Sequence, residues 1–170
     1  WSAISVAAIV CTVVTISLEQ QGASLISKRS FYGVTRVREA QDRLGNVRRE
    51  FYHGSILHGL QYVREPHRPT AYFEPHSGIA RTLRALHDRG PLRVAVIGLG
   101  VGTILTHSLP GDFFVFWEIN PEVTEIAHSP FTFVSSSPAE VELHDGDGRL
   151  GFEQLSTDRK STRLNSSHLG

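Results

Sequence analysis

Glycines and a carboxylate at two places in the chain have the residue types and spacing to bind a nucleoside. Gly98, Gly100 and Gly102 follow directly after a short apolar run, and Glu118 follows the next one. Glycine has no Cβ atom, so a ligand can approach the backbone of such a turn closely. A carboxylate at the following strand end can accept hydrogen bonds from both ribose hydroxyls. The glycines alone fit an ordinary strand-to-helix turn equally well, but the turn and the acid together favour a nucleoside.

The kind of nucleoside is narrowed by what surrounds the glycines. No Lys-Ser or Lys-Thr pair follows directly after them, so a triphosphate-binding loop is not supported. Thr103 stands where the dinucleotide fingerprint has its third glycine, which disfavours NAD. A third segment, residues 145–148, places two aspartates and two glycines after another apolar run, where adenine could be bound. Such a segment taken singly is more often a plain turn. A single adenosine group fits the three segments best.

Three short apolar runs must position these residues. Residues 92–97 and 113–117 have the nearly continuous apolar pattern of parallel strands that are buried on both faces, and residues 141–143 are expected to form a third strand. A helix is expected after the glycine turn and another between the second and third strands. This order is typical of the first half of a doubly wound α/β domain with a Rossmann-like parallel sheet, which we place at residues 76–155.

Two of the helices have recognisable first residues. Ser77 is predicted to cap a helix that ends at Gly90 and Pro91 and packs through Ile79, Leu83 and Leu86. Asn120 is predicted to cap a second helix, in which Pro121 fits the first turn. The inward side of that helix would be formed by Val123, Ile126 and Ala127.

Residues 28–75 have a different pattern and are predicted to form a small antiparallel β unit followed by a connection. The expected strands are residues 31–37, 47–52 and 56–63, with turns at Gly45-Asn46 and His53-Gly54. Three prolines between residues 65 and 75 cannot donate hydrogen bonds to a sheet, which favours an extended connection to the next module.

The first part of the chain is predicted to meet a membrane. Residues 2–18 carry no charge, and as a helix they would be about 25 Å long, which nearly spans a bilayer core. We therefore interpret residues 1–18 as the end of a transmembrane helix; a buried soluble helix or strand is the alternative. The basic residues that follow favour a cytoplasmic location for the rest of the chain.

Composition excludes little else. Seventeen basic and seventeen acidic residues cancel, so charge gives no reason to expect nucleic acid as a partner. The single cysteine and the nine histidines do not have the spacing of metal ligands, so we expect no metal site.

The chain contains no methionine, which indicates an internal fragment. Residues 156–170 are rich in Ser, Thr, Arg and Asn, which predicts an unstructured tail. Within them, residues 160–168 resemble translated adaptor sequence, so we expect the tail to be an artefact.

The motifs resemble the polyamine aminopropyltransferases, spermidine synthase and its relatives, and among them the membrane-fused spermidine synthase-like proteins. The resemblance covers about residues 31–155. It rests on the glycine turn, residues 98–103, on residues 118–123 and on residues 146–149. The β unit and Tyr72-Phe73-Glu74 are similar to the N-terminal hairpins and the Tyr-x-Glu signature of the family.

The resemblance implies a role for each candidate residue. Gly98, Gly100 and Gly102 would hold the methionine-derived tail of the co-substrate, Glu118 the ribose, and Asp147 would lie near adenine. Gln61 and Tyr72 would face the aminopropyl and amine sites, and Glu74 would help to bind the amine. Leu99 and Val101 stand where spermidine synthases usually have Gly and Asp. The catalytic aspartate of the family follows a fourth strand that is not in this sequence, so we expect the fragment to be inactive and its catalytic residue is unknown.

The function expected from this resemblance is aminopropyl transfer from decarboxylated S-adenosylmethionine to a polyamine, by a membrane-attached enzyme that could form a homodimer. Two alternatives stay open. An S-adenosylmethionine-dependent methyltransferase shares the glycine turn and Glu118 but does not need the preceding β unit. A non-catalytic nucleoside-binding domain of a membrane protein would keep the fold without the chemistry.

Overall fold

The computed structural model describes residues 23–153, which form two compact units that divide between Pro66 and His67. The first unit is a four-stranded antiparallel sheet in the order β1-β2-β3-β4. Its strands are β1 (Ala23–Ser30), β2 (Gly33–Gln41), β3 (Val47–His53) and β4 (Ile56–Tyr62).

The sheet has one strand more than the sequence pattern predicts. β1 was not expected because, as an edge strand that is largely exposed, it has no regular alternation of apolar residues. The strand predicted to begin at Phe31 begins at Gly33 instead. Phe31 and Tyr32 form the turn that precedes it, and the Phe31 side chain is 97% exposed.

The two faces of this sheet differ. Val37 on β2 pairs with Phe51 on β3, and both side chains are buried on one face. Glu50 and Tyr52 point to the other face, because successive side chains of a strand alternate. The turn between β2 and β3 is held by Asp42, whose carboxylate accepts hydrogen bonds from the backbone amides of Leu44 and Asn46, at 2.8 and 2.9 Å.

The second unit contains a three-stranded parallel sheet in the order β5-β6-β7. The strands are β5 (Arg93–Ile97), β6 (Phe113–Glu118) and β7 (Glu140–Asp145). Its described residues also form two α-helices, α1 (Gly78–His87) and α2 (Pro121–His128), two 3₁₀ helices, Ala71–Phe73 and Thr103–His107, and a helical segment at residues 148–153. This mixed α/β architecture is compatible with a truncated Rossmann-like fold.

Both predicted helix caps are present. The Ser77 hydroxyl accepts a hydrogen bond from the Ala80 amide at 3.2 Å, and the Asn120 side chain accepts one from the Glu122 amide at 3.2 Å. The packed face of α1 is only partly as predicted. Leu83 is buried, but Ile79 and Leu86 are exposed, and Ala80 takes their place in the core.

Burial within the parallel sheet is uneven. In β6 the side chains of Phe114 and Phe116 are fully buried, because this strand has a neighbour on each side. The prediction that β5 is buried on both faces is wrong. It pairs with β6 alone among the described strands, and Ile97 is 66% exposed.

The element after the glycine turn is also shorter than expected, a 3₁₀ helix instead of an α-helix. It begins after Gly102, which provides no side-chain cap, and three of its five residues, Thr103, Ile104 and Thr106, are β-branched. Such residues lose side-chain freedom in a helix.

The predicted transmembrane end at residues 1–18 and the predicted artefact at residues 156–170 lie outside the described residues. Within residues 23–153, no helix is long and apolar enough to cross a membrane.

A buried carboxylate joins the beginnings of two parallel strands. Asp112 is 1% exposed. One of its oxygens accepts a hydrogen bond from the Leu92 amide at 2.7 Å, and the other accepts from the Leu109 amide at 2.8 Å and lies 2.8 Å from Nε2 of His87. Burial by itself would raise the pKa of Asp112, but the two amides and His87 outweigh it and hold that pKa below its ordinary value.

We predict that Asp112→Asn lowers the free energy of unfolding by about 1–3 kcal/mol at pH 7, because an amide group would turn a donor toward backbone donors. A lowered folded pKa gives stability that is complete above the ordinary value of about 3.9 and is lost as pH falls through the folded pKa. The difference between wild type and variant in urea unfolding should therefore shrink below about pH 4.

The control for this prediction is Asp88→Asn, which changes an exposed aspartate next to His87 and should alter stability by less than about 0.5 kcal/mol. A difference between wild type and Asp112→Asn that is the same at pH 7 and at pH 3 would contradict the role given to the ionised carboxylate.

Candidate nucleoside-binding site

The three segments that were expected to bind the nucleoside meet at one edge of the parallel sheet. Ile97, Trp117 and His144 are paired across β5, β6 and β7. Beyond them the Gly98 amide donates to the Trp117 carbonyl at 2.7 Å, and the Gly146 amide donates to the Glu118 carbonyl at 2.8 Å. The glycine turn, the acid and the Asp/Gly segment therefore follow neighbouring strand ends.

Along the glycine turn, buried residues alternate with glycines that are more exposed, up to Val101. Leu99 and Val101 are 6% and 1% exposed and anchor the turn inside the unit. Gly98 is exposed, and a Cβ atom added there would meet nothing within 4 Å. Its φ of 86° and the φ of 56° at Gly100 are values that other residues rarely adopt. The backbone at Gly98 is therefore open to a ligand.

Gly102 has a different environment from Gly98. It is buried, and a Cβ atom there would lie 3.0 Å from Cγ2 of Val134 and 3.6 Å from Cβ of Phe133. The missing side chain at this position allows close packing beneath the turn. Contact of Gly102 with the co-substrate stays a prediction.

Glu118 connects the turn to its neighbouring strand. Oε2 of its carboxylate accepts a hydrogen bond from the Leu99 amide at 2.9 Å, and Oε1 accepts one from the Asn120 amide at 3.0 Å. An ionised carboxylate has roughly four acceptor positions, so about two are left for hydroxyl donors. The side chain is partly exposed. Glu118 is thus held in place by the backbone and can still accept hydrogen bonds from a ribose.

The carboxylates after β7 have structural partners as well. Oδ1 of Asp147 accepts hydrogen bonds from the amides of Arg149 and Leu150, at 2.8 and 3.4 Å, and so caps the helical residues 148–153. Asp145 accepts a hydrogen bond from the Thr124 hydroxyl at 2.7 Å. Asp147 is exposed at the same strand edge as Glu118, where its predicted contact with adenine remains a prediction.

Two further glycines allow a close approach of the chain that the sequence pattern did not indicate. After β7 the chain passes close to the ends of β5 and β6. A Cβ atom at Gly148 would lie 2.7 Å from Cγ2 of Ile97, and one at Gly151 would overlap the indole ring of Trp117 at Nε1. Neither approach leaves room for a side chain. The helical segment covers this part of the edge because both positions are glycine, and their spacing of three residues was the only signal.

Asn120 is a further residue whose environment the sequence did not indicate, because the sequence pattern marked it only as a helix cap. It is 2% exposed, and its Oδ1 caps α2. Within residues 23–153 its Nδ2 atom has no hydrogen-bond partner. An unpaired buried donor next to Glu118 is costly unless a further acceptor is bound there.

The Tyr-x-Glu segment contacts the 3₁₀ helix that follows the glycine turn. Tyr72 lies in the first 3₁₀ helix and is 64% exposed, and Glu74 follows it and is also exposed. The carbonyl of Phe73, between them, lies 2.7 Å from Nε2 of His107 in the second 3₁₀ helix. Both side chains are accessible to an amine, and their contact with one remains a prediction.

Gln61 belongs to β4 in the first unit. It is 2% exposed, and its Nε2 donates a hydrogen bond to the Pro66 carbonyl at 3.0 Å. Its predicted contact with the aminopropyl group stays a prediction. In residues 23–153 no three His, Cys, Asp or Glu side chains are close enough to hold a metal ion.

A solved structure with this fold is the crystal structure described as a probable spermidine synthase from Corynebacterium glutamicum ATCC 13032. It matches with a TM-score of 0.53 and 14% sequence identity, over 74% of this chain. The match spans 45% of that protein, so this chain corresponds to less than half of it. No protein-family model and no curated protein sequence matches the chain. The chain therefore has a spermidine synthase-like fold.

We predict that Glu118→Ala weakens binding of methylthioadenosine to the purified chain by about 10- to 100-fold, the loss expected for hydrogen bonds to a charged group. Isothermal titration calorimetry would measure it. Glu125→Gln is the matched control, because Glu125 is an exposed acid on α2 and should leave the affinity unchanged. Equal affinities for wild type and Glu118→Ala would remove Glu118 from the site.

Proposed function

We propose that the whole protein to which this chain belongs transfers an aminopropyl group from decarboxylated S-adenosylmethionine to a polyamine. The observation that carries the proposal is the Glu118 carboxylate, fixed by two backbone amides beside an open glycine turn. The fold shared with a probable spermidine synthase supports it, as does the antiparallel sheet that precedes the parallel one.

In this proposal each strand end holds one part of the co-substrate. Glu118 accepts the ribose hydroxyls, Asp147 lies against adenine, and the backbone at Gly98 and Gly100 lies along the tail that carries the sulfonium. Tyr72 and Glu74 bind the polyamine, whose ammonium groups are attracted to a carboxylate and to an aromatic face.

The reaction is a displacement at carbon. The neutral amine nitrogen of the polyamine attacks the aminopropyl carbon bonded to the sulfonium. The carbon–sulfur bond breaks, its electron pair stays on sulfur, and methylthioadenosine leaves as a neutral thioether. An alkylammonium has a pKa near 10.4, so a base must remove its proton first.

One observation favours the methyltransferase alternative. Val101 stands at a position where spermidine synthases usually have an aspartate, and it is 1% exposed, buried in the core. It offers no charge to the amine of an aminopropyl group. Ordinary S-adenosylmethionine, with methyl transfer, is therefore the second candidate, because neither the turn nor Glu118 distinguishes the two co-substrates.

A membrane location is also part of the proposed function. Residues 2–18 carry no charge and are long enough as a helix to reach nearly across a bilayer core. We propose that they anchor the protein in a membrane and that the nucleoside site lies on the cytoplasmic side.

We predict that the complete protein, incubated with putrescine and decarboxylated S-adenosylmethionine, releases methylthioadenosine and spermidine in equal amounts, as detected by mass spectrometry. Glu118→Ala should lower kcat/KM by at least about tenfold, since it removes hydrogen bonds to the co-substrate. Glu125→Gln serves again as the control. Methyl transfer from S-adenosylmethionine, with no aminopropyl transfer to putrescine, would replace this proposal with the second candidate.

A further inference from the structure

A cavity of about 720 Å³ lies on the polar face of the antiparallel sheet and is lined by three arginines. Arg38 lies on β2, Arg48 on β3, and Arg43 in the turn between these strands. The face is opposite to the one that buries Val37 and Phe51, because these residues alternate with the arginines along the strands. The cavity belongs entirely to the first unit and contains none of the residues assigned to the nucleoside.

Two of the arginines are held in place before any ligand binds. Glu50 is 6% exposed at the base of the cavity. One of its oxygens lies 2.8 Å from both Nε and Nη2 of Arg48, and the other accepts a hydrogen bond from the Tyr52 hydroxyl at 2.9 Å. The guanidinium of Arg38 lies 4.4 Å above the centre of the Tyr52 ring. Little side-chain freedom is left to lose on binding, which favours a specific site.

The charges of the cavity do not cancel. Three arginines are opposed by Glu50, which pairs with Arg48, and by Asp42. The Asp42 carboxylate is engaged within its turn by the Leu44 amide and by Asn46. Arg38 carries a buried Nε atom that has no hydrogen-bond partner in residues 23–153. The cavity thus has a net positive charge and an unused buried donor, and both favour an anion.

We propose that this cavity binds a phosphate group carried by a small organic molecule. Guanidinium groups present fixed donors that match the oxygens of a phosphate, and two guanidiniums that converge can hold it from two sides. The volume is larger than a lone inorganic anion needs, which leaves room for the group that the phosphate is attached to. The phosphate comes either from a soluble phosphomonoester or from the headgroup of an anionic lipid.

The position of the cavity is compatible with a lipid headgroup as the source of the phosphate. β1 begins at Ala23, which pairs with Glu39, so the chain enters the sheet at the end where the cavity lies. Leu44, beside Arg43 at the tip of the turn, is 86% exposed. An exposed leucine among arginines is the surface expected next to a membrane, where each basic residue adds attraction to anionic lipid.

The first experiment uses a soluble probe. We expect glycerol 3-phosphate to bind the purified full chain saturably in isothermal titration calorimetry, and Arg38→Gln to weaken that binding by at least about tenfold. Arg43→Gln should weaken it by about fivefold. Arg36→Gln is the matched control, because Arg36 is exposed on the same strand and the same face but does not line the cavity. It should stay within about twofold of wild type.

The second experiment uses vesicles. Sedimentation with phosphatidylcholine vesicles, with and without phosphatidylglycerol, gives the gain in binding that anionic lipid causes. If the phosphate comes from lipid, Arg38→Gln and Arg43→Gln reduce this gain and Arg36→Gln does not. Residues 2–18 are common to all variants, so the lipid concentration is set where wild type is only partly bound to vesicles of phosphatidylcholine alone.

Weaker binding of a probe by Arg38→Gln and Arg43→Gln, but not by Arg36→Gln, supports the proposal in either experiment. The probe that shows this difference identifies the source of the phosphate. Equal losses for Arg36→Gln and Arg38→Gln with both probes, or no binding of either probe, would overturn it. Should Arg38→Gln fail to fold, Arg43→Gln decides alone, since the Arg43 side chain is exposed.

Discussion

The hydrogen bond from the Leu99 amide to the Glu118 carboxylate, 2.9 Å long, determines how the candidate site is built. It connects the end of β6 to the turn that follows β5, so two segments that are nineteen residues apart keep one geometry. The other carboxylate oxygen accepts from the Asn120 amide and fixes the beginning of α2 in the same way. Bonds between a charged acceptor and backbone donors are among the stronger hydrogen bonds in proteins. A ligand that uses the free acceptor positions of Glu118 therefore meets a preformed turn.

The glycine turn has to be anchored in the core and also has to expose its backbone to a ligand, and alternate residues meet these two requirements. Leu99 and Val101 anchor it through apolar burial, while Gly98 leaves its backbone exposed beside Glu118. The burial of Val101 has a consequence for chemistry, because an acid at that position would have to leave the core to reach a ligand. The same arrangement that supports nucleoside binding thus provides no charge for an aminopropyl amine. In the proposed reaction, Tyr72 and Glu74 are the accessible candidates for binding the polyamine.

The sequence predicted the features whose cause is local. Continuous apolar runs indicated the parallel strands, and Ser77 and Asn120 marked the helix starts, because a cap needs only its own side chain and amides a few residues away. Features that depend on distant residues were missed. β1 is recognisable only through its pairing with β2, and the exposure of β5 follows from which strands lie beside it. The contact between His87 and Asp112 joins residues twenty-five positions apart, and no local pattern indicates it.

We propose that one nucleoside binds at the shared edge of β5, β6 and β7. A titration of the ¹⁵N-labelled chain with methylthioadenosine, followed by the amide signals in NMR spectra, tests it most directly. If the nucleoside binds at this edge, we expect saturable shifts at Leu99, Gly100 and Gly146, and none at Gly45, which lies in the turn between β2 and β3. The absence of saturable shifts, or shifts confined to residues away from this sheet edge, would contradict it.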